Sequence, residues 1–273
     1  MAILSEKNIA PRFNALAFTG VNFSLKRFIA AVKKDPLEAS APDGCNNLLL
    51  TLTAHSATRT SVWLAKNAQE LNIDIDYQDT CRRSDNDQSE ELKSHIKEMG
   101  MDDQSSPLDA LAQGKHLRNT ALILAVKKGW DHRSDDAAPG DPTLGALILS
   151  LLKAGANVNI QDGCGNTALH IAVLKRDYRA ADALLENGAS MSIVNNAGMT
   201  PTEMLKIPYA WINPFLYHQT GGDTNSYIHT LPPERNWSMF NLQCLNRVFK
   251  KHEERSTLRI PKGSYSKKPV VKA

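Results

Sequence analysis

Little in this sequence points toward chemistry. Cysteine is scarce, with Cys45, Cys81, Cys164 and Cys244 the only four among 273 residues. No two of them form a C-x-x-C pair, which argues against a thiolate metal site and a disulfide framework and fits reduced thiols. The histidines lack metal spacing, no H-E-x-x-H occurs, and no glycine-rich phosphate loop is present. Neither a metal nor a cofactor is therefore expected. No apolar stretch approaches the roughly 20 residues of a membrane span. The start, MAILSEKNIAPRF, lacks a basic segment leading into a long apolar run, so a soluble, cytoplasmic chain is expected.

Charge excludes less. The formal net charge is +3, but Arg247 to Ala273 holds nine Lys or Arg against two Glu, which leaves the tail at +7 and the body at −4. The body does not read as a nucleic-acid surface. A basic tail of this size suits a solvated, flexible end or an acidic partner.

What the chain does have is concentrated in Asp162 to Asn195. Gly163 and Gly165 mark a turn, Thr167 can cap a short helix, and Leu169, Ala172 and Val173 give that helix one apolar face. Tyr178 opens a second helix whose stripe is Ala181, Leu184 and Leu185, and Gly188 stops it where positive φ is needed. A unit this small cannot bury its faces alone. Its parts recur on both sides: Leu151-Leu152 with G-A-N-V-N at 155–159 before it, and G-M-T-P at 198–201 after it.

T-A-L-H-I-A, Leu184-Leu185 and Gly188-Ala189-Ser190, in one register, resemble the ankyrin repeat, whose period is 33 residues. Ala168 departs from the proline usual at that helix start. The resemblance implies an all-α solenoid of about four or five units. It also implies that His170 hydrogen-bonds hairpin backbone between neighbouring units instead of serving catalysis. Asn159, in the V-N exit, is the position that asparaginyl hydroxylases modify in such proteins.

Read in order, residues 1–42 are a degenerate N-terminal repeat or cap. In it Phe13 to Gly20 forms a worn helix, and Leu25, Phe28, Ile29 and Val32 mark a better one within Ser24 to Lys34. Residues 43–205 carry the repeats. Leu48, Leu49 and Leu52 begin one unit, Val62 to Leu64 continue it, and I-D-I-D-Y-Q-D at 73–79 echoes A-N-V-N-I-Q-D at 156–162. The period is lost over 80–117, read as an insertion at a hairpin tip with a helix near Glu90 to Met99. R-N-T-A-L-I-L-A-V-K-K-G resumes it at 118–129. A second interruption, 131–141, reads as a surface loop. Residues 206–255 form a C-terminal helical cap with a helix from Asn236 to Lys251, and 256–273 are a basic flexible tail.

The recognition surface implied by the resemblance is a concave groove made by the hairpin tips and the first helices. Its candidates here are Gln161, Cys164, Lys175, Arg176 and Tyr178, with Lys127, Lys128 and Trp130 on the preceding unit. Lys127-Lys128 are set in register with Lys175-Arg176 as a basic stripe for an acidic protein partner, with Trp130 and Tyr178 as anchors. Nucleic acid is not an expected partner. The competing reading is a cysteine-dependent enzyme carried by the insertion and cap, with Cys81 near His95 or His116. A few repeats, private insertions and a tail ending K-K-P-V-V-K-A also resemble ankyrin-repeat effectors that intracellular bacteria pass into a host cell by type IV secretion. That resemblance implies an export role for Val270 and Val271 and action in the host cytosol. A eukaryotic scaffold is the alternative origin.

Overall fold

A computed structural model describes residues 25–40, 46–54, 57–80, 118–131, 142–206 and 235–258. Every regular element among them is a helix: α1 (Leu25–Lys34), α2 (Pro36–Ser40), α3 (Leu48–Ala54), α4 (Thr58–Lys66), α5 (Ala121–Lys128), α6 (Leu144–Lys153), α7 (Ala168–Leu174), α8 (Tyr178–Glu186), α9 (Pro201–Met204) and α10 (Arg235–Leu258). The expected helices at Phe13 to Gly20 and Glu90 to Met99 lie outside the described residues, as do Cys45, Cys81, His95, His116, Val270 and Val271.

The helices stack in two layers. α3, α5, α7 and α9 pack on one another in an inner column, and α1, α4, α6, α8 and α10 follow one another in an outer column. Within each unit an inner helix packs on the outer helix that follows it, as α3 on α4, α5 on α6 and α7 on α8. Each inner helix opens on a side-chain cap. Asn47 Oδ1 accepts from Leu50 N at 2.8 Å, and Thr120, Thr167 and Thr200 accept from the backbone at Ile123, His170 and Glu203. Such caps satisfy one of the orphan amides of a helix start. In α9, Pro201 holds the first turn and Glu203 answers Thr200 in a reciprocal box.

Burial follows the stripes read from sequence. Leu169, Ala172, Val173, Ala181 and Leu184 are fully buried, Leu185 nearly so, and Phe28 and Val32 anchor α1 under α4, where the Phe28 ring meets Trp63 edge-on at 6.2 Å. Gly188 closes α8 at φ +88°. The C-terminal helix is longer than its apolar pattern suggests, running to Leu258 through the residues read as the start of the tail. Leu245 and Phe249 are buried against the rest of the molecule, and charged pairs to α8 extend the docking beyond the apolar stripe.

Candidate functional site

The hairpin tips hold the units together through a buried polar ladder. Asp162 Oδ1 accepts from the tip amides of Cys164 and Asn166, each at 2.9 Å, and its Oδ2 accepts from Lys127 Nζ at 3.0 Å. The same ammonium donates to Asn119 Oδ1 at 2.7 Å, and Asn119 Nδ2 donates to Asp79 Oδ2 at 3.0 Å. In the next unit Asn195 stands in the place of Asp162. Its Oδ1 accepts from Ala197 N and Met199 N, and its Nδ2 donates to Asn166 Oδ1 at 3.0 Å. Burial pushes the Asp79 carboxyl up, against the pull of its hydrogen bonds with Asn119. Gln161 is also a tip brace, donating to Gly165 O and Val194 O, and Cys164 is buried there.

His170 is committed to the same joint. Its Nδ1 accepts from Thr167 N at 3.1 Å, and its Nε2 faces Met199 O at 3.1 Å. A carbonyl only accepts and an amide only donates, so the ring is neutral with its proton on Nε2. Burial agrees, lowering the imidazole to about 4. With both nitrogens occupied by backbone, His170 links neighbouring units.

The cations proposed as a stripe are differently placed. With Thr120 and Thr167 as equivalent caps, Lys127 corresponds to Leu174, Lys128 to Lys175, and Gly129 to Arg176. The register read from sequence is therefore corrected by one residue. Lys127 and Leu174 share a buried position, whereas Gly129 and Arg176 share positive φ, at 108° and 56°. Both cations of the second pair cap carbonyls at the ends of adjacent inner helices. Lys175 Nζ donates to Lys127 O, and Arg176 Nη2 donates to Leu205 O at 3.3 Å. Helix ends leave carbonyls without intrahelical partners, and a cation suits both the hydrogen bond and the dipole there. Burial brings Lys175 down to about 8. Lys127, Lys175 and Arg176 thus spend their charges between repeats, while Lys128 is half-buried.

The aromatic anchors are linked through Asp177, which bonds Trp130 and precedes Tyr178 in the chain. The Trp130 indole packs on Gly145, where a Cβ would come within 2.6 Å of the ring, so a side chain at that position would displace it. Trp130 N donates to Asp177 Oδ2 at 3.0 Å, which ties Trp130 to the cap of α8. Tyr178 follows, edge-on to Phe240 of α10 at 6.5 Å, with the Arg179 guanidinium 5.8 Å from the Tyr178 ring centre. Arg179 also bonds Asp131 at 2.9 Å. Phe240 is 49% exposed. Trp130 and Tyr178 thus stand at the helix-end rim, whereas Gln161 and Cys164 stand at the tips. The inner helix between these two ends, α7, is buried along its whole length.

Beyond these contacts α10 is clasped to α8. Lys251 Nζ bridges Asp182 Oδ1 at 2.8 Å and Glu186 Oε1 at 3.2 Å, and His252 Nε2 lies 2.9 Å from Asp182 Oδ1. Partial burial works against the Asp182 carboxylate, but Lys251 and His252 bring it below its ordinary value. Asp182, Glu186 and His252 place one ligand atom each within 4.8 Å of one another, a grouping that could hold a metal. The Lys251 ammonium already supplies the cationic charge between the two carboxylates. Sequence reading passed over Arg179 and the clasp, although Asp182 and Glu186 at i, i+4 opposite a Lys-Lys-His run were the available signal.

Caps at a 33-residue period, paired helices in two layers, and a histidine bridging successive tips make one recurrent unit, and residues 151–205 match the family model "Ankyrin repeats (many copies)". That stretch of the chain is built of ankyrin repeats. The chain is 50% identical over 48 residues to a putative ankyrin repeat protein of Acanthamoeba polyphaga mimivirus, covering 18% of this chain and 12% of that one. It is 46% identical over 56 residues to a putative ankyrin repeat protein of fowlpox virus, covering 20% and 16%. With an I-kappa-B like protein of a Microplitis demolitor bracovirus it shares 42% identity over 59 residues, 21% of this chain and 33% of that one. The matched stretch thus spans well under half of these relatives. Among solved structures, an ankyrin repeat domain from Acinetobacter baumannii aligns at 20% identity and TM-score 0.33, covering 77% of this chain and 97% of that one. Ankyrin repeats generally mediate protein–protein interaction, and among the described residues no helix is long and apolar enough to cross a membrane.

Proposed function

We propose that this ankyrin-repeat chain binds a protein partner at the rim formed by the ends of its inner helices, with Trp130, Tyr178, Arg179 and Phe240 as the contact residues and Lys128 beside them. The observation that carries this reading is the set of contacts at this rim: Trp130 seated on Gly145 and bonded to Asp177, and Tyr178 packed edge-on to Phe240 with the Arg179 guanidinium near its ring. Trp, Tyr and Arg are enriched among the residues that dominate interface energetics; Trp and Tyr bury large area with few rotamers and retain a polar handle, and Arg adds a planar fork of donors. Gln161 and Cys164 brace the hairpin tips, away from the contact surface, and Lys127, Lys175 and Arg176 act by holding the rim in shape. An acidic partner suits Lys128 and Arg179. The test is affinity capture from eukaryotic lysate with the wild-type chain and with Phe240→Ser and Arg179→Glu variants of equal thermal stability. A protein retained by the wild type and lost by both variants supports the reading; equal retention by all three overturns it.

The proposal extends to a place of action. The basic end K-K-P-V-V-K-A supports a chain delivered to a host cell by type IV secretion, acting in the host cytosol. A translocation reporter fused ahead of the chain tests this, with Val270→Ser and Val271→Ser expected to reduce delivery and wild-type failure to translocate refuting it.

A further inference from the structure

The N-terminal outer helix carries a surface feature that partner binding at the rim does not use. α1, LKRFIAAVKK, contains four cations and no carboxylate. Phe28 and Val32 face the molecule, and Lys26, Arg27, Lys33 and Lys34 are exposed. At 3.6 residues per turn these four fall within an arc of about 120° centred on Ala30, over a length of about 12 Å. They form one flat cationic face instead of a ring around the helix. Immediately after it, Leu37 of α2 is 82% exposed, the highest value among the exposed large apolar residues described. The neighbouring outer helix α4 adds exposed Arg59 and Lys66 to the same end of the solenoid.

We propose that this end of the molecule docks on an anionic phospholipid surface, with the α1 cations against the headgroups and Leu37 reaching the acyl boundary. Three observations favour lipid over other anions. Three of the four cations are lysines, which protein interfaces disfavour but which act well as mobile point charges on a diffuse anionic surface. Only one of the four, Arg27, is an arginine, and none of the exposed residues of α1 is an aromatic that could stack on a base, as proteins reading nucleic acids require. An exposed leucine beside a cationic face is of no use to a phosphate backbone, whereas a bilayer gains its apolar area. The apolar stripe of α1 is already packed on α4, so attachment is electrostatic with one apolar foot. It should be reversible and weaken with salt.

Each cation near an anionic leaflet strengthens binding by about fivefold, so replacing all four should weaken it by several hundredfold, on the order expected from the product. The experiment is co-sedimentation of the full chain with phosphatidylcholine vesicles alone and with about a third phosphatidylserine, a leaflet charge of the type that attracts polybasic segments. The quadruple variant Lys26→Gln, Arg27→Gln, Lys33→Gln, Lys34→Gln keeps helix propensity; circular dichroism checks that it folds. Binding to the anionic vesicles only, lost in the quadruple variant and reduced about tenfold in Leu37→Asn, supports the proposal. Three results would overturn it: no vesicle binding by the wild type, full binding by the quadruple variant, which would assign attachment to the basic C-terminal segment, or binding to a duplex oligonucleotide without binding to vesicles.

Discussion

Replacing Lys127 by Leu is the most informative perturbation of the ladder, because Leu already occupies the equivalent position at 174. On shape alone the substitution should be tolerated. Electrostatics says otherwise: the Lys127 and Asp162 side chains are 4% and 1% exposed, and the ammonium serves both Asp162 Oδ2 and Asn119 Oδ1. Removing it leaves a buried carboxylate with only its two amide donors and an acceptor on Asn119 without its partner. Breaking one half of a buried pair is destabilising by about 3 to 5 kcal/mol, whereas replacing the whole pair can be near neutral. The second half of the cycle is Asp162→Asn, which installs the residue that performs the same turn at 195, where Asn195 Oδ1 accepts two tip amides. Urea denaturation of wild type, both single variants and the double variant measures the coupling. Lys127→Leu should lose about 3 kcal/mol or more, and the double variant should recover most of it. A single-variant loss below about 1 kcal/mol, the range of an exposed pair, would refute the account of a desolvated inter-repeat bridge.

Three further outcomes are expected. Leu184→Ala should destabilise by about 2 to 5 kcal/mol through lost transfer energy and a cavity, and a loss under half of the lower figure in a denaturant titration would contradict its burial between repeats. His170 is held at about 4 in the fold against an ordinary 6.5, so the unfolded chain alone binds its proton between those values. Stability should fall as pH drops from 6.5 to 4 by up to about 3 kcal/mol, a loss that His170→Gln should diminish; an NMR titration of the imidazole near 6.5 would overturn it. Asp79 N donates to Asn119 O as Asp162 N donates to Asn166 O, so the segment between them stands where Gly163 to Gly165 stand. Replacing residues 80–118 by Gly-Cys-Gly should give a chain with a cooperative thermal transition, and its failure to fold would show that the tip equivalence is wrong.

Much of the fold was legible because the signals were local and repeated. Thr167, Leu169, Leu184-Leu185 and Gly188 each specify a cap, a stripe or a stop within a few residues, and tertiary packing merely confirms the choice made by each. Candidate site residues were less legible for a physical reason. A lysine at a helix end reads as surface charge unless the neighbouring unit is known to present a carbonyl or carboxylate to it, and Lys127, Lys175 and Arg176 find those partners across the stack. The register slip arose similarly: two dipeptides of like charge, Lys127-Lys128 and Lys175-Arg176, looked equivalent, whereas the backbone pairs Gly129 with Arg176 through positive φ. The length of α10 was missed because its last turns carry no apolar stripe; Lys251 and His252, bonded to Asp182 on α8, hold its later part in place.

Hydrogen exchange across the whole chain, measured with and without the captured partner, tests the central claim most directly. Binding at the rim predicts added protection at residues 129–131 and 177–182 and in the α10 turn containing Phe240, with the tips at 161–165 and 195–199 unchanged. Protection confined to the tips, leaving Trp130, Tyr178 and Phe240 exchanging as in the free protein, would contradict it.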